Sequence, residues 1–177
     1  MKRIIAFVLA ANISGVIASD TSDPQKNPSM FEHHIETQVE INTTEMNVWR
    51  VLMAFENYQK WNPFITAISG RPEIGQKLSV QIQPVGGNSM SFSPEILELK
   101  PEKMLRWKGR FLMPGLFDGE HYFVIRKETS GKIIFVQGEN FSGLLVPFFK
   151  TQLDTGTKTG FHNMNEALRQ QAEILKH

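Results

Sequence analysis

Residues 121–140, HYFVIRKETSGKIIFVQGEN, leave this chain less freedom than any other stretch. Two runs rich in β-branched and aromatic side chains flank Thr129-Ser130-Gly131, and a three-residue connection ending in glycine is a hairpin turn whose last position needs a left-handed backbone. With Glu128 and Lys132 closing the turn, residues whose numbers sum to 260 stand opposite one another. Ile125 then faces Phe135, Phe123 faces Gln137 and His121 faces Glu139. All six share one face, because side chains two apart on a strand point the same way, and the apolar members assign that face to the interior. A G1 bulge that moved the pairing by one residue is the competing register.

An imidazole and a carboxylate are costly to bury unless each finds a partner, so His121 and Glu139 are expected to meet. Two chemistries fit such a pair. One is a polar patch, satisfied within a pocket or by water, that orients a ligand's oxygen. The other is general acid/base work on a bound carbonyl compound, with Glu139 supporting a protonated His121.

The same alternation runs through KMLRWKGRF, residues 103–111. Leu105, Trp107, Gly109 and Phe111 form an apolar or small face, and Met104, Arg106, Lys108 and Arg110 form the opposite one. The second set reads as a solvated sheet face, with an anionic membrane or a partner as the alternative contact. Upstream, HHIETQVEI alternates around Ile35, Thr37, Val39 and Ile41 as a first strand. Asn42 or Thr43 can then cap a short helix carrying Val48, Trp49, Leu52 and Phe55. A second helical turn covers Asn57 to Trp61 and stops at Pro63. Further strands are expected near 65–70, 77–84, 90–99, 103–112, 118–128 and 132–142, seven in all. Leu153, Phe161, Met164, Leu168, Ala172 and Leu175 recur mostly at three- and four-residue steps as a closing helix, which can begin as early as Leu144. The architecture is α+β: a curved, seven-stranded antiparallel sheet wrapped around a long C-terminal helix, with two short helices after the first strand.

The 177 residues, 41% of them apolar, suit one compact domain. Cysteine is absent, which excludes disulfides, thiolate metal sites and a thiol nucleophile. The net charge of +1 is scattered along the chain, and no electrostatic footprint for a nucleic-acid duplex is present. Lys2 and Arg3 precede the apolar run IIAFVLAANISGVIA, which follows signal-peptide grammar. Residues 1–18 are therefore expected to direct export to the periplasm or beyond, with an uncleaved N-terminal membrane anchor as the alternative. Cleavage after Ala18 leaves 17 bases against 18 acids, a charge of −1, and no stable membrane span. Residues 19–30, polar and proline-containing, read as a flexible lead-in to a domain spanning 31–177.

Four motifs carry a wider resemblance: VWRVLMAFENYQKWNPF, PGLFDGEH, ENFSGLLVP and GFHNMNEAL, in this order between Phe31 and Ala172. In these the chain resembles the SRPBCC superfamily, the helix-grip fold of START lipid-transfer domains, pollen-allergen-type proteins and polyketide cyclase-like proteins. The similarity is to the bacterial polyketide cyclase/dehydrase-like subgroup. The resemblance implies an internal cavity for a small hydrophobic or amphipathic molecule, lipid-like or polyketide-like, between the concave sheet face and the helix. It implies no metal or nucleotide cofactor. A cyclase- or dehydratase-like reaction through His121 and Glu139 is the second reading it allows, and an interaction module using the Arg-Lys face is a third.

The candidate lining set combines the inward-facing positions with the ring-rich segment YQKWNPF: Trp61, Phe64, Leu105, Trp107, Phe111, Phe117, Phe123, Phe135, Gln137, Phe141, Phe161 and Met164. Tyr58, Trp61 and Phe64 follow the short helices at an open end of the sheet and are expected to frame an entrance, a plain core role being the alternative. Other motifs carry less. His33 and His34 point to opposite faces, and His162 and His177 have no acidic partner at ligand spacing. Asp118-Gly119 reads as an ordinary turn signal. GTKTG, with Gly156 and Gly160, lacks the setting of a phosphate loop and reads as close helix-to-sheet approach or as room for a ligand. FSGLLVPFF is either core or an apolar mouth. The export reading predicts a mature N-terminus at or near Ser19 in protein recovered outside the cytoplasm. Mass measurement of the native protein checks it, and a full-length soluble cytoplasmic form would contradict it.

Overall fold

Among the described residues eight strands form two antiparallel sheets, divided at a proline. The computed structural model describes residues 29–111 and 113–175, so the expected export segment 1–18 and the lead-in up to residue 28 lie outside the described residues. β1 (Glu32–Ile41) leads into α1 (Glu45–Met53), a 3-10 turn (Phe55–Asn57) and α2 (Tyr58–Trp61). Then come β2 (Ile65–Ser69), β3 (Ser79–Ile82), β4 (Met90–Phe92), β5 (Glu95–Lys100), β6 (Met104–Phe111), β7 (Phe117–Lys127) and β8 (Ile133–Ser142). The chain closes with α3 (Val146–Gln152), one π-helical turn (Leu153–Thr157) and α4 (Lys158–Ile174).

The large sheet runs β1-β8-β7-β6-β5 and the small one β2-β3-β4. The expected single strand at 90–99 is divided at Ser93-Pro94: Pro94 has no N–H to give a ladder and a fixed φ, so β4 joins the small sheet and β5 the large one. The α+β helix-grip plan is as expected, with this strand split in two.

The β7–β8 hairpin forms in the expected register. The Glu128 amide donates to the Lys132 carbonyl at 2.9 Å, the Gly131 amide donates to the Glu128 carbonyl at 2.9 Å, and Gly131 takes φ +88°. Ile125 stands opposite Phe135, Phe123 opposite Gln137 and His121 opposite Glu139. β6 continues the pattern, with Trp107 opposite His121 and Gly109 opposite Gly119. Asp118-Gly119 is not a turn but part of β7, because the chain reverses earlier, around Gly115 at φ +81°.

The helix α1 is capped by Thr44, one residue beyond the expected positions. Its hydroxyl accepts from the Asn47 amide at 3.2 Å, while Thr43 instead donates to the Ala172 carbonyl at 3.3 Å and ties α1 to α4. Asn62 ends α2, and its Oδ1 accepts from the amides of Phe64 and Ile65 at 2.9 and 2.8 Å. That local bond turns the chain into β2 and fixes where Phe64 points. The stripe Phe161, Met164, Leu168 and Ala172 on α4 is fully buried against the large sheet and α1. Leu175 lies just past the helix, partly exposed.

The spaced glycines of the closing helix mark close approach. A Cβ on Gly156 would lie 2.6 Å from the Val85 carbonyl oxygen, and one on Gly160 would lie 2.3 Å from Cδ2 of Phe64. Phe64 itself packs edge-on against Phe161, with ring centroids 5.2 Å apart. Gly160→Ala therefore overpacks this contact and is expected to cost about 1–3 kcal/mol. Urea denaturation should show a lower midpoint with an unchanged slope.

Candidate cavity and its polar wall

Because the sheet is split, its two parts enclose space instead of lying flat. A cavity of about 360 Å³ lies between the concave face of β6–β8, the small sheet and the helix that follows β8. Trp107, Phe117 and Phe141 come from the large sheet, Val80, Ile82, Met90 and Phe92 from the small one, Phe64 and Ile65 from the entry to β2, and Phe149, Leu153 and Thr157 from the helical side. The π-helical turn supplies Leu153 and Thr157, so the local widening of the helix falls at the cavity wall.

His121 and Glu139 share this wall. His121 is held on all sides: its ring stacks on Trp107 at 5.3 Å, meets Phe161 edge-on at 5.0 Å and tilts against Phe123 at 4.6 Å. Its Nδ1 lies 3.3 Å from Oε2 of Glu139, and its Nε2 lies 3.3 Å from Nε2 of the buried Gln137. The Gln137 amide nitrogen also faces Sδ of Met164 at 3.5 Å. With the Gln137 amide oriented so that its nitrogen donates to His121 Nε2, the imidazole proton is assigned to Nδ1, where it is donated to Glu139; this orientation leaves the buried Gln137 Oε1 without a partner. The Glu139 carboxylate has room because residue 119 is glycine: a Cβ there would lie 2.3 Å from Oε1.

Of the residues singled out in the sequence, Phe64, Trp107, Phe117, His121, Glu139 and Phe141 line the cavity. Leu105, Phe123, Phe135, Phe161 and Met164 are fully buried and form the packed layer beneath it, while Gln137 reaches the site through His121. Phe111 ends β6 opposite Phe117, and its side chain lies outside the described residues. The entrance reading fails for two of its three rings. Tyr58 is fully buried and donates to the Leu52 carbonyl at 2.6 Å, and burial pushes its phenol pKa far up. Trp61 packs on Tyr58 at 5.0 Å and is half-buried against the core cluster, outside the cavity lining. Both are drawn inward because the 3-10 turn and α2 lie against β2 and α4.

The small-sheet wall and the π-helical turn were missed by sequence reasoning. The available signals were Pro94, which breaks the strand, and the facing pair Gly109 and Gly119, which leaves part of the inner wall without side chains. The opposite face of β6 is the polar one expected: Arg106 bridges Glu98 at 3.0 Å and Glu120 at 2.6 Å. Among the described residues no helix is long and apolar enough to cross a membrane.

Residues 32–173 match the family described as polyketide cyclase / dehydrase and lipid transport. The chain belongs to that family. It is an SRPBCC, START-like protein of the polyketide cyclase-like kind. Comparison with curated protein sequences gives no match. Among solved structures, the Zhui aromatase/cyclase from Streptomyces sp. R1128 is similar with a TM-score of 0.66 at 16% identity, covering 80% of this chain and 94% of that one. A START superfamily protein from Mycobacterium smegmatis aligns with a TM-score of 0.62 at 17% identity, over 81% and 99% of the two chains. The di-domain ARO/CYC BexL from the BE-7585A biosynthetic pathway gives 0.67 at 12% identity, over 84% of this chain. This chain spans about half, 52%, of BexL's length. At these identities the likeness is one of fold.

The tautomer is directly measurable. Nitrogen-15 NMR of the neutral His121 ring should show Nδ1 protonated and Nε2 bare. In Gln137→Met, which keeps the volume but removes the donor, that preference should weaken. A ring protonated at Nε2 in the wild type would contradict the assigned bonding.

Proposed function

We propose that the protein binds or carries a small hydrophobic or amphipathic molecule, lipid-like or polyketide-like, in the cavity between its two sheets and the closing helix. The observation that carries this reading is the roughly 360 Å³ of space lined by Phe64, Phe92, Trp107, Phe117, Phe141 and Leu153, a volume within the usual range for small-molecule sites. The family's description, which includes both polyketide cyclase/dehydrase and lipid transport, supports the same class of ligand. Covering about 200 Å² of apolar ligand surface at about 25 cal/mol per Å² yields about 5 kcal/mol before association costs. Apolar contact over that area alone thus gives weak binding, and useful affinity needs more buried area or polar contacts on the wall. The signal-like sequence of residues 1–18 supports binding outside the cytoplasm.

A second reading, an acid/base reaction on the bound molecule, is favoured by one feature: the His121–Glu139 contact faces the cavity instead of closing on itself within the core. The imidazole is oriented by two neighbours, as a proton-transfer group needs to be.

Ile82 is half-buried on the cavity wall, so Ile82→Trp can fill the space from its rim. An environment-sensitive apolar dye should bind the wild type and bind the variant at least about tenfold more weakly, with the variant's circular dichroism unchanged. Equal binding by a folded variant would remove the cavity from the function. His121→Gln separates the two readings. A carrier should keep ligand retention within a modest factor, because an amide still makes a hydrogen bond of about 1 kcal/mol net. An enzyme should lose about a hundredfold or more in turnover with binding largely intact.

A further inference from the structure

The polar groups of the wall are asymmetric. His121 has both ring nitrogens engaged, one by Glu139 and the other by Gln137. Glu139 has one oxygen engaged: Oε2 accepts from His121, while Oε1 rests over Gly119 and receives no hydrogen bond among the described residues. Glu139 lines the cavity with its side chain 16% exposed, so this oxygen meets whatever occupies the space. Among the lining residues the cation is Arg110, which is exposed and alternates with Trp107 and Gly109, so its side chain belongs to the opposite face of β6.

We infer that the polar end of the ligand is a hydrogen-bond donor, a hydroxyl or an ammonium and not a carboxylate, and that Glu139 Oε1 receives it. The inference rests on the cavity-binding reading above and adds the class of head group. An ionised carboxylate brought beside Glu139 would set two like charges together within a largely apolar wall, where their repulsion is less screened than in bulk water. Turning such a ligand around would carry its head to the open rim, but its apolar tail would then cover the open carboxylate oxygen without giving it a partner. A donor head resolves both difficulties and completes the row Gln137, His121, Glu139, ligand. In that row each hydrogen bond is donated toward Glu139, from His121 on one side and from the ligand on the other. Gly119 is the feature that leaves the oxygen open, since any side chain there would meet it.

The test is displacement of a bound apolar dye by decanol, decylamine and decanoate at pH 7.5, on the wild type, Glu139→Gln and Arg110→Gln, with folding of each checked by circular dichroism. In the wild type, decanol and decylamine should displace the dye at concentrations at least tenfold below decanoate. In Glu139→Gln the gap should close, with decylamine weakened and decanoate strengthened several-fold, because an amide accepts and donates without charge. Arg110→Gln should leave the order unchanged. Decanoate binding as tightly as decanol, or a preference for decanoate that Arg110→Gln abolishes, overturns the inference while leaving the cavity as a ligand site. A head-group order that survives Glu139→Gln also overturns it. If neither the dye nor any of the three probes binds, the cavity reading fails and this inference fails with it.

Discussion

A slip of one residue between β7 and β8 would turn either His121 and Phe123 or Glu139 and Phe135 to the convex side of the sheet. Everything about the site depends on that register being held. The hold is local: the Glu128–Lys132 bond and the positive φ of Gly131 close the turn, and the turn sets the pairing along the whole hairpin. The neighbouring strands extend the same order. Trp107 falls opposite His121 on one side, and Ile35 falls opposite Glu139 on the other. The polar pair is thereby framed by rings and branched chains that leave it little freedom.

Close packing elsewhere makes the cavity an arranged feature. Beneath it, Leu105, Phe123, Phe135, Phe161 and Met164 are fully buried, and interiors of this kind ordinarily leave few voids larger than a water molecule. The space persists for two reasons. Pro94 interrupts the ladder so that β4 pairs with β3, and the small sheet turns off the large one at the Lys77–Glu95 bridge to form a second wall. Gly109 and Gly119, paired across β6 and β7, withhold side chains from the inner face where the carboxylate of Glu139 lies. The helical side contributes its own widening at the π-turn.

Much of the fold was legible because it rests on short-range rules. The turn at Thr129-Ser130-Gly131, the alternation in β6 and the stripe on α4 each report local geometry, and the turn by itself sets His121 against Glu139. The lining was read less completely, since alternation tells which face a side chain takes and not how deep it sits. Leu105, Phe123 and Phe135 face inward as expected, yet they lie under the cavity. Tyr58 and Trp61 looked like an entrance from their position after a short helix, but the contacts that pull that helix onto β2 and α4 are long-range and leave no periodic mark. The role of Gly119 was hidden by its Asp-Gly context, which resembles a turn until the earlier reversal at Gly115 is known.

Ligand binding here requires a cavity that is accessible and apolar. Crystallography under xenon pressure tests this most directly, because xenon enters dry apolar cavities and scatters strongly. The account predicts xenon sites between Trp107, Phe141 and Leu153, displaced when the protein is crystallised with a bound ligand. Phe64, Phe92 or Phe149 swung inward to fill the space, with no xenon there, would contradict it.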